Sequence, residues 1–573
     1  MSLIKNTELY LTNLVNELGY DIDNIKLVEC NLKELGEFQI NFAMQLAKKY
    51  HQNPIEIAKK VVEKLDDRFK NVNIAGPGFI NLTFNDKYLI ENANIGINDF
   101  NNYIDKEEPK KIIIDFGGAN AAKALHVGHM RSANIGEALR RLAILFGNDV
   151  ISDVHLGDIG RQSGMLITEL QEEQPELPYF NPNYKGEYPN INLTSKDLGR
   201  MYPKASIKAK EDPDRMEKVR YITSLIDKGE AIYTNLWRQM VNISIKDIKK
   251  VYDMLNCHFD LFEGELDSYK YIDKTMEVIK PYLYESEGAK VIDVKEDTDT
   301  LEIPPLMVIK NDGATIYATR ELATIYGRIE RFNPDEIWYV VDERQSLYFT
   351  QVFRASYKTK LVDNCKLLHL GFGTINGTDG KPFKTRDGGV MELSSLIELI
   401  KNEIKDKIKD EITGDEREEI ADLLSIATLK YTDLLPFRKT DYIFDPVKFS
   451  SLEGKTGPYI LYATVRIKSL LNKVDDKEYK IKEIYNNDIS SILNKLVLLP
   501  VALLNSYKEK TLNYITDYIY EIASLYNKFY NNINILNEID VDKKETYIAL
   551  SKLVYNVMHN ILDILAIDEV GKM

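Results

Sequence analysis

The chain has 573 residues, room for three or four domains, and its 44% apolar content is ordinary for a globular protein with a sizeable core. Its 74 Lys and Arg against 89 Asp and Glu leave a net charge of −15, which excludes a general polyanion binder but allows a local basic face. Three scattered cysteines (Cys30, Cys257 and Cys365) exclude a disulfide framework and fit a reducing, cytoplasmic setting. No signal peptide is visible at the start. The longest apolar stretch, 496–504, contains Pro500 and is far short of a membrane span, so no membrane association is expected.

In chain order, residues 1–108 read as a compact opening domain. Helical apolar spacing covers 42–49 and 54–65, and 75–84 (AGPGFINLTF) reads as a turn followed by a strand. The polar stretch 94–110 reads as a linker. From 111 the pattern becomes strands alternating with helices, the sign of a parallel sheet, and this second domain is expected over 109–395. An insertion occupies about 171–255: a Pro-, Asn- and Tyr-rich loop to 198, with helical spacing from 214. Residues 335–341 and 366–372 read as later strands of the sheet. The segments 393–410, 489–504, 511–531 and 543–565 are helical, making 396–573 all-α.

The densest chemistry lies in DFGGANAAKALHVGH, residues 115–129. The preceding KIII, 111–114, reads as a buried strand, and 130–145 has helical spacing. The motif therefore sits on a strand-to-helix crossover, where a phosphate can rest on free backbone N–H groups. His126 and His129 can face one ligand, Gly128 lets a flat group approach the backbone, and the imidazoles with Lys123 suit a phosphate gaining charge. A metal pair is the rival reading. Zinc wants further N or S ligands, and the distant cysteines form no C-x-x-C, so no metal is assigned.

A second motif, GKPFKTRDGG at 380–389, places Lys381 and Lys384 between glycines. Alone it reads as an ordinary solvated loop. Coupled to the first motif, it reads as a mobile cationic segment that closes over a leaving pyrophosphate. Together the two resemble the ATP motifs of class I aminoacyl-tRNA synthetases, and the surrounding sequence resembles arginyl-tRNA synthetases along most of the chain. The supporting strings are GEFQIN (36–41), AGPGFIN (75–81), YPKASIKAKE (202–211), LLPFRKTDYIFD (434–445), SLEGKTGPYILYATVR (451–466) and LAIDEVGKM (565–573).

The resemblance implies a multidomain α/β + α protein. Its parts would be a small α+β N-terminal domain touching the tRNA elbow, a Rossmann-type catalytic domain with its insertion, and an all-α anticodon-binding bundle. It implies that Phe79 and Asn81 meet an unpaired base, and that Tyr459, Tyr462, Tyr530 and Met573 approach the anticodon, the tyrosines by stacking. The competing readings are a core Phe79 and a packed aromatic helix stripe. Lys204, Lys208 and Lys210 read as a solvated charge run, with acceptor-stem phosphates as the alternative.

For the substrate, a guanidinium wants carboxylates placed for its planar fork. The resemblance implies Glu265, Tyr317 and Glu321 there, Asn120 on the substrate carboxylate and Gln345 close by. Five positions depart from the family pattern: Gly117 and Gly118 stand where it has serines, Ala119 where it has a proline, Glu321 for an Asp and Tyr348 for a His. The expected activity is arginine–tRNA ligation with ATP and Mg²⁺ by a monomer, with His126, His129, Lys123, Lys381 and Lys384 on the phosphates. The alternatives are a paralogue with altered amino-acid specificity and a tRNA- or amino-acid-binding protein without ligase activity.

Overall fold

The computed structural model describes residues 1–123, 125–311, 316–381 and 391–573. The chain forms two compact units. One combines Met1–Glu108, Lys407–Leu435 and Phe449–Met573; the other combines Pro109–Asp406 and Pro436–Lys448.

In the first unit, β1 (Val28–Glu29), β2 (Phe38–Ile40), β3 (Phe69–Ala75) and β4 (Phe79–Phe84) form an antiparallel sheet in the order β1-β2-β4-β3. The turn joining β3 to β4 holds Gly78 at φ +103°, where a Cβ would lie 2.9 Å from the Pro54 carbonyl oxygen. The expected linker is largely structured. The Asp86–Asn98 helix runs into it, and a 3₁₀ turn, Phe100–Tyr103, buries both of its aromatics. Polarity misled because those two rings carry the packing.

The segment read as one helix over 489–504 is two, Asn487–Val497 and Leu499–Glu509, meeting at Leu498 just before Pro500, which has no N–H to donate. Together they are long and apolar enough to cross a membrane by length and composition, which the short stretch 496–504 did not suggest. Just over half of this span is buried, and Ile489, Ile492, Leu493 and Leu496 face the interior of the unit. The helices Gly457–Leu471, Asn513–Asn532 and Val541–Ile564 complete the bundle.

In the second unit, β5 (Lys111–Asp115) and β6 (Asp149–Asp153) join the later β10 and β11 in one parallel sheet. An antiparallel sheet of β7 (Leu283–Ser286), β8 (Ala289–Ile292) and β9 (Leu306–Ile309), which sequence reading did not anticipate, intervenes along the chain. The remaining strands are β10 (Glu336–Tyr339), β11 (Lys366–His369) and a short parallel pair, β12 (Ile375–Asn376) with β13 (Tyr442–Ile443). The parallel order is β11-β10-β5-β6. Ile112, Ile113 and Ile114 are fully buried, as a strand covered on both faces requires. The order reverses at β5, between β10 and β6, so the crevice beyond the carboxyl ends of these strands is where a ligand is expected.

The insertion is more helical than its composition suggests. Ser195–Glu211, Pro213–Asp227 and Ala231–Met254 are all helices. Lys204 is exposed and Lys208 partly so, as a surface charge run would be, but neither is unpaired. Both pair with the buried Glu169, which also holds Arg215, and with Glu173 and Glu172 respectively, so they are committed to an internal ion network.

Candidate active site

Leaving β5, the chain passes through the first motif into the Val127–Leu145 helix, with His126 as its N-cap. His126 Nδ1 accepts the Gly128 N–H (3.1 Å), and His129 Nδ1 accepts the His126 N–H (3.0 Å). The rings stack with centroids 3.8 Å apart. With both Nδ1 atoms accepting, each neutral ring carries its proton on Nε2, leaving two N–H donors for a phosphate. Burial, then the charges of His126 and Lys123, pushes His129 down to about 3; burial and Lys123 also lower His126. The pair therefore offers uncharged N–H donors at neutral pH. A Cβ on Gly128 would sit 3.0 Å from His126 Cε1, so glycine keeps the cap ring in place.

The helix is anchored below. Ser132 Oγ donates to the Val340 carbonyl (2.6 Å) and accepts the Gly117 N–H (2.8 Å). The buried Arg131 donates to the carbonyls of Thr374, Arg438 and Thr440. Lys123 is exposed, its ammonium 5.5 Å from the Tyr202 ring centroid.

The chain that follows the second motif lies against the first. Glu392 bridges His126 in antiparallel fashion, and the Leu393 N–H donates to the Leu125 carbonyl (2.9 Å). Lys381 is exposed at the other end, where its carbonyl accepts the Gly377 N–H (2.8 Å). Lys384 lies outside the described residues.

Asn120 pairs with Gly157 just beyond the carboxyl ends of β5 and β6. Gly117 has φ +90°, and a Cβ there would meet Tyr252 Oη at 2.8 Å. Local backbone and packing together thus account for glycine at this departure from the family pattern. Tyr317 and Glu321 share a face of the Tyr317–Phe332 helix, and the Tyr317 and Tyr348 ring centroids are 5.1 Å apart. Glu321 is 3% exposed, and its Oε1 has no hydrogen-bond partner among the described residues. Burial raises its pKa against the pull of His155, while Asp115 raises it further.

Glu265 is differently placed from the expectation of a free carboxylate. Its Oε2 accepts from Arg320 Nε at 2.7 Å, so one fork position is already taken by the protein. Gln345 is exposed at the end of the 3₁₀ turn before the helix bearing Tyr348.

Sequence reading missed the buried charges behind Glu321. Arg328 Nη2 donates to Asp115 Oδ2 (2.7 Å) and Asp153 Oδ2 (2.6 Å). Asp115, Asp153 and His155 bring ligand atoms within 4.8 Å of one another, but the guanidinium is the cation already paired with the two aspartates, so this cluster is not assigned to Mg²⁺. The available signal was an acidic residue closing each of two adjacent strands, with an arginine in helical phase with Glu321.

Of the residues expected to meet tRNA, Phe79 is half-buried. Asn81 is fully buried: its Oδ1 accepts from Gln39 Nε2 (2.8 Å) and its Nδ2 donates to the Asn73 carbonyl (3.4 Å). Its amide is spent inside the sheet, because its cross-strand neighbours Gln39 and Asn73 lie on both sides of it. Tyr459, Tyr462 and Tyr530 are half-buried rather than exposed. The Tyr459 hydroxyl bonds with Ser524 (3.2 Å) and accepts from Asn527 (3.1 Å). The Arg466 guanidinium lies 4.8 Å and 5.1 Å from the Tyr462 and Tyr530 ring centroids. Met573 is buried.

The parallel sheet, the histidine-capped helix start beyond β5 and a family match spanning both make this a protein of the class I aminoacyl-tRNA synthetase type. The family described as tRNA synthetases class I (R), catalytic domain, matches residues 93–446. Arginyl tRNA synthetase N terminal domain matches 5–84, and DALR anticodon binding domain matches 460–573. An Arginine–tRNA ligase from Alkaliphilus oremlandii (strain OhILAs) is 42% identical over 590 residues, covering all of both chains. One from Francisella tularensis subsp. novicida (strain U112) is also 42% identical, over 98% of this chain and 99% of its own. The chain belongs to the arginyl-tRNA synthetase family. Its fold matches that of the arginyl-tRNA synthetase from Plasmodium falciparum (TM-score 0.82, 20% identity, 100% of this chain and 99% of that one). It also matches the Thermus thermophilus enzyme (TM-score 0.81, 18% identity, 100% of both).

Proposed function

We infer that the protein is an arginine–tRNA ligase: it activates arginine with ATP and transfers the arginyl group to the 3′-terminal ribose of tRNA(Arg). Whole-length identity of 42% to arginine–tRNA ligases supports this reading most directly. The arginine carboxylate attacks the α-phosphorus in line, pyrophosphate leaves, and a ribose hydroxyl then takes the arginyl group from the adenylate. The protein's work is positioning and charge stabilisation. His126 and His129 offer Nε2–H donors to the phosphates, while Lys123, Lys381 and Lys384 supply the positive charge. Mg²⁺ arrives with ATP, held mainly by phosphate oxygens and water.

On the amino-acid side, Glu321 receives the guanidinium. Its buried Oε1, without a donor among the described residues, carries this assignment, since such an oxygen is costly to bury until a cation arrives. Tyr317 flanks the substrate, Glu265 contributes its remaining oxygen, and Asn120 and Gln345 hold the amino-acid backbone. Phe79 faces the tRNA elbow; Tyr459, Tyr462, Tyr530 and Met573 form the anticodon side. The enzyme works as a cytoplasmic monomer, a setting that suits three buried cysteines outside any disulfide.

Pyrophosphate exchange with each of the twenty amino acids, with and without total tRNA, tests the reading. Exchange with arginine alone is expected. Exchange with another amino acid overturns the specificity, and none under any condition favours a binding protein without ligase activity.

A further inference from the structure

We propose that Arg328 is the positioning residue that sets the arginine-binding face of the Tyr317–Phe332 helix against the edge of the parallel sheet. The proposal rests on Glu321 being the guanidinium acceptor. At about 100° per residue, Tyr317, Glu321 and Arg328 fall on one stripe roughly 40° wide. The two substrate-facing side chains and the guanidinium therefore share a side of the helix.

The guanidinium grips a single row of the sheet. Asp115 is the register partner of Asp153 on β6 and of Tyr339 on β10, and all three end their strands. Arg328 Nη2 bonds both aspartates, and its guanidinium lies 5.5 Å from the Tyr339 ring centroid. Arg328 and Tyr339 are at most 1% exposed, Asp153 likewise, and Asp115 is 5% exposed, so these contacts are little screened by water.

Two strands leave this row for the amino-acid end of the site. Asp115 leads into the segment ending at Asn120, and Asp153 leads into His155 and Gly157, the partner of Asn120. A single cation thus ties the helix bearing Glu321 to both segments that shape the amino-acid end. It also offsets the charge of Asp115, Asp153 and Glu321, neighbouring buried carboxylates that His155 opposes as well. The nucleotide end has a further anchor of its own in Arg131, while Ser132 bonds both Val340 and Gly117.

The test is steady-state charging by R328Q, R328K, D153N and E321Q, with KM measured separately for arginine, ATP and tRNA. R328Q should raise the arginine KM at least tenfold while the ATP and tRNA KM values stay within twofold. R328K should recover part of that loss, because it keeps the charge but not the planar geometry. D153N, which removes one grip, should raise the arginine KM by less than R328Q; if R328Q does not fold, R328K and D153N decide the matter. Equal rises in all three KM values, or no rise in any Arg328 or Asp153 variant while E321Q raises the arginine KM, would overturn the positioning role. An unchanged arginine KM in E321Q would instead overturn the assignment of Glu321 on which it rests.

Discussion

Acidification from pH 7.5 to 5.0 should leave His129 uncharged. The ring is 8% exposed, and its Nδ1 is occupied by the His126 N–H, so a second proton would have to displace that hydrogen bond inside a buried cap. Burial first, then His126 and Lys123, puts the folded-state pKa at about 3 against 6.5 for an unperturbed histidine. Between those values the unfolded chain binds the proton and the folded chain does not. Stability from this group is therefore complete above pH 6.5 and falls as the pH drops towards 3. At pH 5 the loss is about 1.5 pH units at ~1.4 kcal/mol each, or about 2 kcal/mol. Carbon-13 labelling at histidine Cε1 gives seven resonances, one per histidine, and His129→Asn assigns the one in question while keeping an acceptor for the His126 N–H. That resonance should hold its neutral shift to pH 5, and the mutant should lose less urea resistance on acidification than the parent. A midpoint near 6.5, or identical acid sensitivity in the two proteins, would refute the capped, neutral pair.

Other outcomes rest on single contacts. Glu321→Gln removes a charge-assisted contact of ~1.5–3 kcal/mol, so kcat/KM for arginine in tRNA charging should fall roughly 10- to 150-fold. Glu321→Asp should change the ratio of arginine to canavanine use, since the carboxylate recedes by about 1.5 Å. Gly136→Ala would place a methyl group 2.2 Å from Phe116, so thermal denaturation should show a loss of ~1–3 kcal/mol. Phe79→Ala should raise the tRNA KM roughly 5- to 150-fold if that ring stacks on a base. Asn81→Ala should instead lower thermal stability and leave the tRNA KM nearly unchanged, because its buried amide is bonded to Gln39, Asn73 and Cys30.

Much of the catalytic end was legible in the sequence because its signals are local. A strand, a glycine-bearing turn and two histidines three residues apart describe a helix start in one short window, and β5 and the Val127–Leu145 helix fall where that window predicts. The later strands and the helical tail came from periodicity, which needs only neighbouring residues. Errors arose where composition stood in for packing: a polar linker proved to carry two buried aromatics, and within the insertion the loop ends earlier than expected, at the Ser195–Glu211 helix.

Tertiary structure decided what each side chain is free to do. Glu265 and Glu321 look alike in sequence, yet one is paired with Arg320 and the other keeps an unpartnered oxygen. Lys204 and Lys208 read as solvated and are largely so, but each is also paired with the buried Glu169; Asn81 read as a base contact, but Gln39 and Asn73 close around it. Asp115 and Arg328 are 213 residues apart and meet only because β5 lies between β6 and β10. The sequence by itself determined residue type, helix phase and family; the tertiary structure determined pairing, because a charge's partner is set by distance through space, and spacing along the chain reports that distance only within a turn or two of helix or across one hairpin.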